Sequence, residues 1–255
     1  MARTPKKTLI HFIGAGPGDP ELITVKGSRL LKKADIVIYT GSLVKDNILK
    51  YCRKGVEAHN SASMHLEEIT DMMVKAAKAG KHVARLHTGD PSLYSAMREQ
   101  ADTLDREGVD YEIVPGVSSA FAAIAALKKE FTKPGVTQTV IFTRLEGRTP
   151  VPASEGLSSL SSHRASICVF LSAGMIDKVI EELLKGYPPE TPAAIVYRAT
   201  WEDEKKITGT LKDIAAKAKK AGITNHALIM AGEAIGDTHA ASLLYDKGFK
   251  HGFRK

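Results

Sequence analysis

Short apolar runs alternate with segments of helical spacing along the first half of the chain. The apolar runs predict buried strands at Leu9–Gly14, Asp35–Tyr39, His82–His87 and Tyr111–Val114. The segments of helical spacing predict helices at Leu22–Lys33, Leu66–Ala79, Ser92–Glu107 and Ser118–Leu127. Such alternation is typical of a parallel sheet whose strands are joined by crossover helices.

The alternation resumes after a polar segment with chain breakers, residues 128–136, which is predicted to be a linker. The predicted strands that follow are Thr137–Thr143, Ser166–Leu171, Ala193–Arg198 and Ala227–Ala231, with helices at Met175–Lys185 and Leu211–Ala221. An additional strand, Lys205–Thr210, is predicted to form a hairpin with the strand before it. We therefore predict an α/β fold class with two α/β domains, residues 1–127 and 137–255, built on mainly parallel or mixed sheets.

The first predicted strand leads into a glycine-rich turn, Gly14–Gly27, with the sequence Gly-Ala-Gly-Pro-Gly-Asp-Pro-Glu-Leu-Ile-Thr-Val-Lys-Gly. A dinucleotide fingerprint needs glycine at its first, third and sixth positions, so that a pyrophosphate can lie on the N-terminus of the helix. Here the sixth position is Asp19, an anion, and Pro17 removes one backbone donor. The turn therefore suits close approach of the main chain to a ligand, but not to a phosphate.

The triplet Gly18-Asp19-Pro20 is repeated as Gly89-Asp90-Pro91, and both copies follow a predicted strand. Because aspartate is a preferred N-cap and proline is favoured at the first helical position, we expect both aspartates to cap helices. Capping does not explain the extra glycine in each triplet, which suggests a ligand held by main-chain groups. We expect that ligand at the carboxyl ends of the strands, in an active-site cleft between the domains.

The loop Thr143–Pro152 carries two arginines four residues apart. It is either a solvated turn, in which Glu146 pairs with an arginine, or a site in which Arg144 and Arg148 bind ligand carboxylates. Guanidinium geometry suits carboxylates, and the position of the loop beyond a strand end favours the second interpretation.

Two other residues are open to both structural and functional interpretations. His65, followed by two glutamates, is either an acid–base group or simply the start of a helix. Arg85, near the end of a predicted strand, either lines the cleft or is satisfied within the sheet.

Composition narrows the choice of partners and compartment. The formal charge of +7 fits a small polyanion, and the chain has no arginine-rich run or interleaved aromatics of the kind that bind nucleic acid. We therefore expect no nucleic-acid partner.

No apolar run is long enough for a membrane span and no signal-peptide core follows the basic start, so we expect no membrane partner. With only Cys52 and Cys168, a cytoplasmic location is expected. No histidine forms a zinc-ligand spacing with these cysteines, and no protein-held metal is expected.

Several separated motifs, in the same order, resemble the tetrapyrrole methyltransferases of corrin and sirohaem synthesis. Besides Gly14–Gly27, the motifs that carry the resemblance are Arg85–Pro91, Val114–Ser118 and Ile195–Trp201. Three further stretches, Tyr39–Val44, Met64–Glu68 and Thr143–Pro152, resemble the branch that methylates carbon 11 of precorrin-4 or cobalt-precorrin-4. The resemblance extends from Leu9 to Ile235.

The resemblance implies a homodimer that uses S-adenosyl-L-methionine as methyl donor and releases S-adenosyl-L-homocysteine. The implied cofactor contacts are Pro17, Thr88, Gly89, Asp90, Leu93, Ser118, Ser119, Leu171 and Ala199. A polycarboxylate tetrapyrrole substrate would give a binding role to Arg144, Glu146, Arg148, His65 and Arg85. Thr40 stands where related uroporphyrinogen methyltransferases have an acidic residue thought to be the base. No catalytic residue is therefore carried over.

The expected function is methylation of carbon 11 of precorrin-4 in cobalamin biosynthesis, with or without cobalt in the macrocycle. The alternatives are a methyltransferase of another tetrapyrrole carbon (carbon 17, carbon 20 or uroporphyrinogen III), a ribosomal RNA methyltransferase, and a non-catalytic tetrapyrrole-binding carrier. Cofactor turnover distinguishes the enzymes from the carrier. The forms of Gly18-Asp19-Pro20 and Met64-His65 favour the cobalt-dependent branch.

Overall fold

The computed structural model describes residues 10–44, 46–237, 247–250 and 252. The chain divides between Ala122 and Ala123 into two compact units, each built on one five-stranded sheet. The predicted α/β class is confirmed. The division lies inside the alanine-rich helix that precedes residues 128–136, so the predicted linker boundaries stay a prediction. Within the described ranges, no helix is long and apolar enough to cross a membrane.

The first unit contains a parallel sheet. Its strands are β1 (Ile10–Gly14), β2 (Ile36–Tyr39), β3 (Glu57–Asn60), β4 (Val83–His87) and β5 (Tyr111–Val114), in the order β3-β2-β4-β1-β5. The interior strand β1 is buried throughout its length, as expected for a parallel strand covered on both faces. Because all five strands run in one direction, their carboxyl ends lie at one edge of the sheet.

Helices cover both faces of this sheet. They are α1 (Val25–Leu31), α2 (Leu66–Lys78), α3 (Met97–Arg106) and α4 (Ser119–Ala126), with short 3₁₀ helices at Pro20–Leu22, Asp46–Tyr51 and Ser61–Ser63. Alternate residues of β1 point to opposite faces. Phe12 packs with Met73 of α2 and Leu104 of α3, whereas Ile13 packs with Leu31 of α1.

Two helices of the first unit begin three or more residues later than predicted. Helix α1 begins after Thr24, whose hydroxyl accepts a hydrogen bond from the Gly27 N–H at 3.1 Å. Helix α3 begins at Met97, because Tyr94 and Ala96 have φ of 53° and 50°, in the left-handed region that interrupts a right-handed helix. The start of the first predicted strand, Leu9, lies outside the described residues.

The second unit contains a mixed sheet. Its strands are β6 (Val140–Arg144), β7 (Ser166–Phe170), β8 (Pro192–Tyr197), β9 (Lys205–Thr210) and β10 (Ala227–Ala231), in the order β6-β7-β10-β8-β9. Strands β8 and β9 are antiparallel neighbours, which confirms the predicted hairpin. Strand β6 is parallel to β7, and β10 is antiparallel to both β7 and β8. The carboxyl ends of β6, β7 and β8 therefore share one edge.

The second sheet has its own apolar core. The helices around it are α5 (Leu157–Ser161), α6 (Ile176–Leu183) and α7 (Ile214–Lys220), with 3₁₀ helices at Ala153–Glu155, Ala173–Met175 and Glu233–Ile235. Leu183 and Ile214 are fully buried against Ile167, Ile195 and Ile229 of the sheet. Each unit therefore holds a rigid scaffold under its own set of loops.

Three loops at the carboxyl edge of the first sheet meet through glycine backbone. A β-carbon added to Gly116 would lie 2.2 Å from the Gly89 carbonyl oxygen and 2.7 Å from the Gly14 Cα. A β-carbon on Gly14 would lie 2.5 Å from the Gly116 Cα. The Gly89 N–H also donates to the Gly16 carbonyl at 2.8 Å. Side chains are excluded here, so the loops after β1, β4 and β5 form one glycine cradle, defined by Gly14, Gly89 and Gly116.

We predict that Gly116→Ala lowers the free energy of unfolding by about 3 kcal/mol or more, because its β-carbon meets backbone that cannot rotate away. Gly80→Ala is the matched control. Gly80 has φ of +75° and open space around its Cα, so that change costs only about 1 kcal/mol of conformational strain. Urea unfolding of both variants measures the difference, and equal losses would contradict the steric role of the glycine cradle.

Candidate functional site

The structure brings the predicted cofactor residues of the first unit to one edge of its sheet. They are Pro17, Thr88, Gly89, Asp90, Leu93, Ser118 and Ser119, and they follow the neighbouring strands β1, β4 and β5. Pro17 is buried, Ser118 is 8% exposed and Gly89 has φ of +65°. These loops therefore present mainly backbone and small side chains around the glycine cradle.

Asp90 joins two of these loops. One carboxylate oxygen, Oδ2, accepts from the Gly116 N–H at 2.8 Å, and Oδ1 accepts from the Ser92 N–H at 2.8 Å. The expectation that Asp90 caps a helix is wrong, because α3 does not begin until Met97. The capping prediction is confirmed for Asp19, whose Oδ1 accepts from the Glu21 N–H at 2.9 Å at the start of a 3₁₀ helix.

The hydrogen bonds of Asp90 also determine its charge. Burial alone would raise the pKa of Asp90, but the bonds from Gly116 and Ser92 outweigh burial and hold the pKa below its usual value. A depressed pKa means that the ionised carboxylate stabilises the fold above its unfolded-state pKa. This contribution is lost as the pH falls through the lower, folded-state pKa.

We predict that Asp90→Asn lowers the free energy of unfolding at pH 7 by about 1–3 kcal/mol, because two charge-assisted bonds are weakened. The difference from the wild type should begin to shrink below the unfolded-state pKa of about 3.9, and should be lost as the pH falls through the lower, folded-state pKa of Asp90. Asp19→Asn is the control, since asparagine caps a helix about as well as aspartate. A difference for Asp90→Asn that does not change between pH 7 and pH 3 would contradict the assignment.

Arg85 is buried on the α2–α3 side of β4, with 5% of its surface exposed. Its Nε donates to the Gln100 side-chain oxygen at 3.0 Å, and one terminal nitrogen donates to the Ser61 hydroxyl at 2.9 Å. The Ser61 hydroxyl in turn donates to the Tyr39 carbonyl at 3.2 Å. Burial lowers the pKa of Arg85 to about 10. The guanidinium therefore ties α3 to the ends of β2 and β3, and a contact with substrate stays a prediction.

His87 lies two residues further along the same face of β4. Its ring is packed against Phe12, with centroids 5.7 Å apart, and its buried Nε2 has no hydrogen-bond partner among the residues that the structure describes. Burial, and then the charge of Arg85, lower the pKa of His87 to about 3. His87 is therefore neutral at physiological pH.

His65 is the N-cap of α2. Its Nδ1 accepts from the Glu68 N–H at 3.4 Å, and the Glu68 carboxylate accepts from the His65 N–H at 3.0 Å. This reciprocal arrangement is a capping box, so the helix-start interpretation accounts for the residue. The exposed ring leaves a role in substrate binding as a prediction.

The predicted residues of the second unit also lie at one edge of their sheet. Arg144 is opposite Phe170 in β7, and Tyr197 of β8 is opposite Ala227 in β10, so the loops after β6, β7 and β8 begin at one level. Leu171, directly after β7, is 68% exposed and has φ of 53°. The left-handed backbone at Leu171 is strained for a residue with a β-carbon.

The arginine loop, residues 144–150, is held differently from the prediction. The guanidinium of Arg144 donates to the Thr149 carbonyl at 3.1 Å and to the Pro150 carbonyl at 2.7 Å. Arg144 therefore fastens its own loop, and its binding of a ligand carboxylate stays a prediction. Glu146 and Arg148 are exposed in this loop. Sequence reasoning had no signal for carbonyl partners that lie five and six residues away.

Ser172 anchors the same loop and was not predicted. Its fully buried hydroxyl donates to the Phe170 carbonyl at 2.6 Å and accepts from the Leu145 N–H at 2.9 Å. The end of β6 is thereby fixed to the end of β7. In the parts of the chain that the structure describes, no group of three or more histidine, cysteine, aspartate or glutamate side chains could hold a metal ion.

The first unit is a parallel sheet with the glycine cradle at its carboxyl edge, and the second is a mixed sheet with the arginine loop. This is the α/β architecture that the motifs led us to expect. The chain belongs to the tetrapyrrole (corrin/porphyrin) methylases, whose family model matches residues 9–215. The family predicted from the sequence motifs is thus confirmed.

Comparison with individual relatives shows which members of this family the chain resembles. The chain is 57% identical over 248 residues to a cobalt-precorrin-4 C(11)-methyltransferase of Methanocaldococcus jannaschii, covering 96% of both chains. An X-ray structure of a cobalt precorrin-4 methyltransferase, a cobalamin biosynthetic enzyme, is 49% identical, with a TM-score of 0.87 over 89% of this chain and 95% of that one. A uroporphyrin-III C-methyl transferase of Thermus thermophilus, solved with S-adenosyl homocysteine, is 29% identical, with a TM-score of 0.73 over 89% and 98%.

Proposed function

We propose that this chain transfers a methyl group from S-adenosyl-L-methionine to carbon 11 of cobalt-precorrin-4, or of precorrin-4, giving the corresponding precorrin-5. The observation that carries the proposal is the 57% identity to a cobalt-precorrin-4 C(11)-methyltransferase along 96% of both chains. The arginine loop, which the sequence motifs associate with this branch, is present and ordered by Arg144.

The glycine cradle fits the proposed cofactor. S-adenosylmethionine has no phosphate, so a loop with the anion Asp19 and without the Pro17 N–H is no disadvantage. The close backbone contact of Gly14, Gly89 and Gly116 holds the three loops together, so that the residues beside them can converge on one ligand. We propose that the cofactor is held by Pro17, Thr88, Gly89, Asp90, Leu93, Ser118 and Ser119, and that Leu171 and Ala199 of the second unit also contact it.

The proposed reaction asks little acid–base chemistry of the protein. When bound, S-adenosylmethionine supplies an electrophilic methyl group on a sulfonium whose thioether leaves without protonation. Thr40 has no carboxylate, and the neutral His87 is enclosed in the core. The chain therefore acts by positioning the reactants and excluding water, which can lower a barrier substantially.

The proposed substrate is supported by the positive charge of the chain. A macrocycle with many carboxylates matches a chain of formal charge +7. Because Arg144 holds the arginine loop, Arg148 is the guanidinium that we propose for direct binding of a substrate carboxylate. We propose secondary substrate contacts at four further residues, Arg144, Glu146, His65 and Arg85.

The resemblance also supports proposals about the oligomeric state and the cellular location of the enzyme. We propose that the enzyme acts as a homodimer, to be measured by sedimentation, and that it works in the cytoplasm. The thiols of Cys52 and Cys168, neither of which is in a disulfide, fit a reducing compartment.

The proposed function is tested by incubation with S-adenosylmethionine and either precorrin-4 or its cobalt complex. We expect a product that is heavier by one methylene unit, S-adenosylhomocysteine in equal amount, and a new methyl resonance that NMR places on carbon 11. A methyl group on another ring carbon would favour the alternative tetrapyrrole methyltransferases. A bound macrocycle without S-adenosylhomocysteine would favour the non-catalytic carrier.

We predict that Arg148→Ala raises KM for the tetrapyrrole by about tenfold or more, since one charge-assisted carboxylate contact is removed. Calorimetry should show unchanged affinity for S-adenosylhomocysteine. Arg106→Ala removes the same charge at the exposed end of α3 and should leave both values near the wild type. Equal weakening of cofactor binding, or the same KM change in the control, would refute the assignment of Arg148.

A further inference from the structure

The turn after β8 adopts an unusual backbone without glycine. Arg198 has φ of 45° and Thr200 has φ of 70°, on either side of Ala199. The left-handed region disfavours residues with a β-carbon, above all a β-branched residue such as threonine. Two such residues within three positions persist only where their surroundings hold them.

The side chain of Arg198 joins the residues before and after this turn. Its guanidinium carbon lies 5.2 Å from the ring centroid of Tyr197 and 4.9 Å from that of Trp201. One terminal nitrogen donates to the Asp203 carboxylate at 2.8 Å. The cation is therefore within cation–π range of two aromatic rings and is also paired with an acid.

The backbone of the turn is also fixed. The Arg198 N–H donates to the His226 carbonyl at 2.9 Å, and the Thr200 N–H donates to the Glu204 carboxylate at 2.7 Å. The Trp201 N–H closes the turn on the Arg198 carbonyl at 3.0 Å. Each left-handed residue is thus bound at its own N–H.

The residue placed by this turn is Ala199, which is 6% exposed. With two rings and a carboxylate around it, the Arg198 guanidinium is held by its own turn, and its buried Nε has no hydrogen-bond partner among the described residues. We propose that Arg198 is a positioning residue, which keeps the Tyr197–Trp201 turn in its left-handed conformation so that Ala199 can receive the cofactor. This inference rests on the proposed function, because it takes Ala199 as a contact of S-adenosylmethionine.

The test compares alanine and glycine at one position. Glycine adopts positive φ without strain, whereas alanine does not. Arg198→Ala should weaken S-adenosylhomocysteine binding about tenfold, because only a fraction of molecules then has the competent turn. Arg198→Gly should recover at least part of that loss, and KM for the tetrapyrrole should change about twofold or less in both variants. A guanidinium that touched a ligand directly would be lost equally in both.

Arg164 provides the matched control. It is also a left-handed arginine, with φ of 49°, and its Nε donates to the Gly186 carbonyl at 2.9 Å at the opposite edge of the second sheet. Arg164→Ala and Arg164→Gly should leave S-adenosylhomocysteine affinity unchanged. Because Trp201 is the one tryptophan of the chain, its fluorescence reports the turn directly in every variant. Arg198→Ala should shift its emission and Arg164→Ala should not.

The outcomes separate this inference from the proposed function. Wild-type affinity for S-adenosylhomocysteine in a folded Arg198→Ala protein would overturn the positioning role while leaving the proposed function standing. Equal weakening in the alanine and glycine variants would overturn it in favour of direct contact. Failure of the wild type itself to bind S-adenosylhomocysteine would instead refute the cofactor of the proposed function.

Discussion

The first unit depends on the contact between backbone atoms where three loops meet at the carboxyl edge of the parallel sheet. Gly14 and Gly116 approach so closely that neither has room for a β-carbon, and the Gly89 carbonyl lies against both. The neighbouring strands β4, β1 and β5 can therefore end in loops that share hydrogen bonds, with Asp90 joining two of them. Absence of side chains at this point is what lets the three loops approach one another so closely.

Much of the scaffold could be predicted because its strands are apolar runs of adequate length. Strand β3, with the sequence Glu-Ala-His-Asn, was missed because an edge strand exposed to solvent carries no apolar pattern. Helix α5 was missed because its five residues, Leu-Ser-Ser-Leu-Ser, are too short for a period to be recognised. The late start of α3 depends on the left-handed backbone at Tyr94 and Ala96, which no propensity predicts for those residue types.

In the candidate site, too, the positions of the loops could be predicted from the sequence, whereas the contacts of the side chains could not. Loops that follow neighbouring strands could be placed at one edge from chain order alone, which located Gly89 and Ser118 correctly relative to the sheet. The partners of individual side chains could not be predicted. Arg144 bonds to carbonyls of its own loop and Arg85 to neutral groups in the core, and both depend on tertiary distances that a motif does not contain.

The hydrogen bonds from Arg144 to the Thr149 and Pro150 carbonyls affect the free energy with which this loop can bind a ligand. A loop that ends in a proline, and whose arginine bonds to two of its own carbonyls, has already lost much of its conformational entropy when the protein folds. Binding then orders fewer degrees of freedom, so a larger share of the contact free energy remains as affinity. Under the proposed function, a polyanionic macrocycle would need few exposed charges for its binding, because the loop that presents them is already ordered.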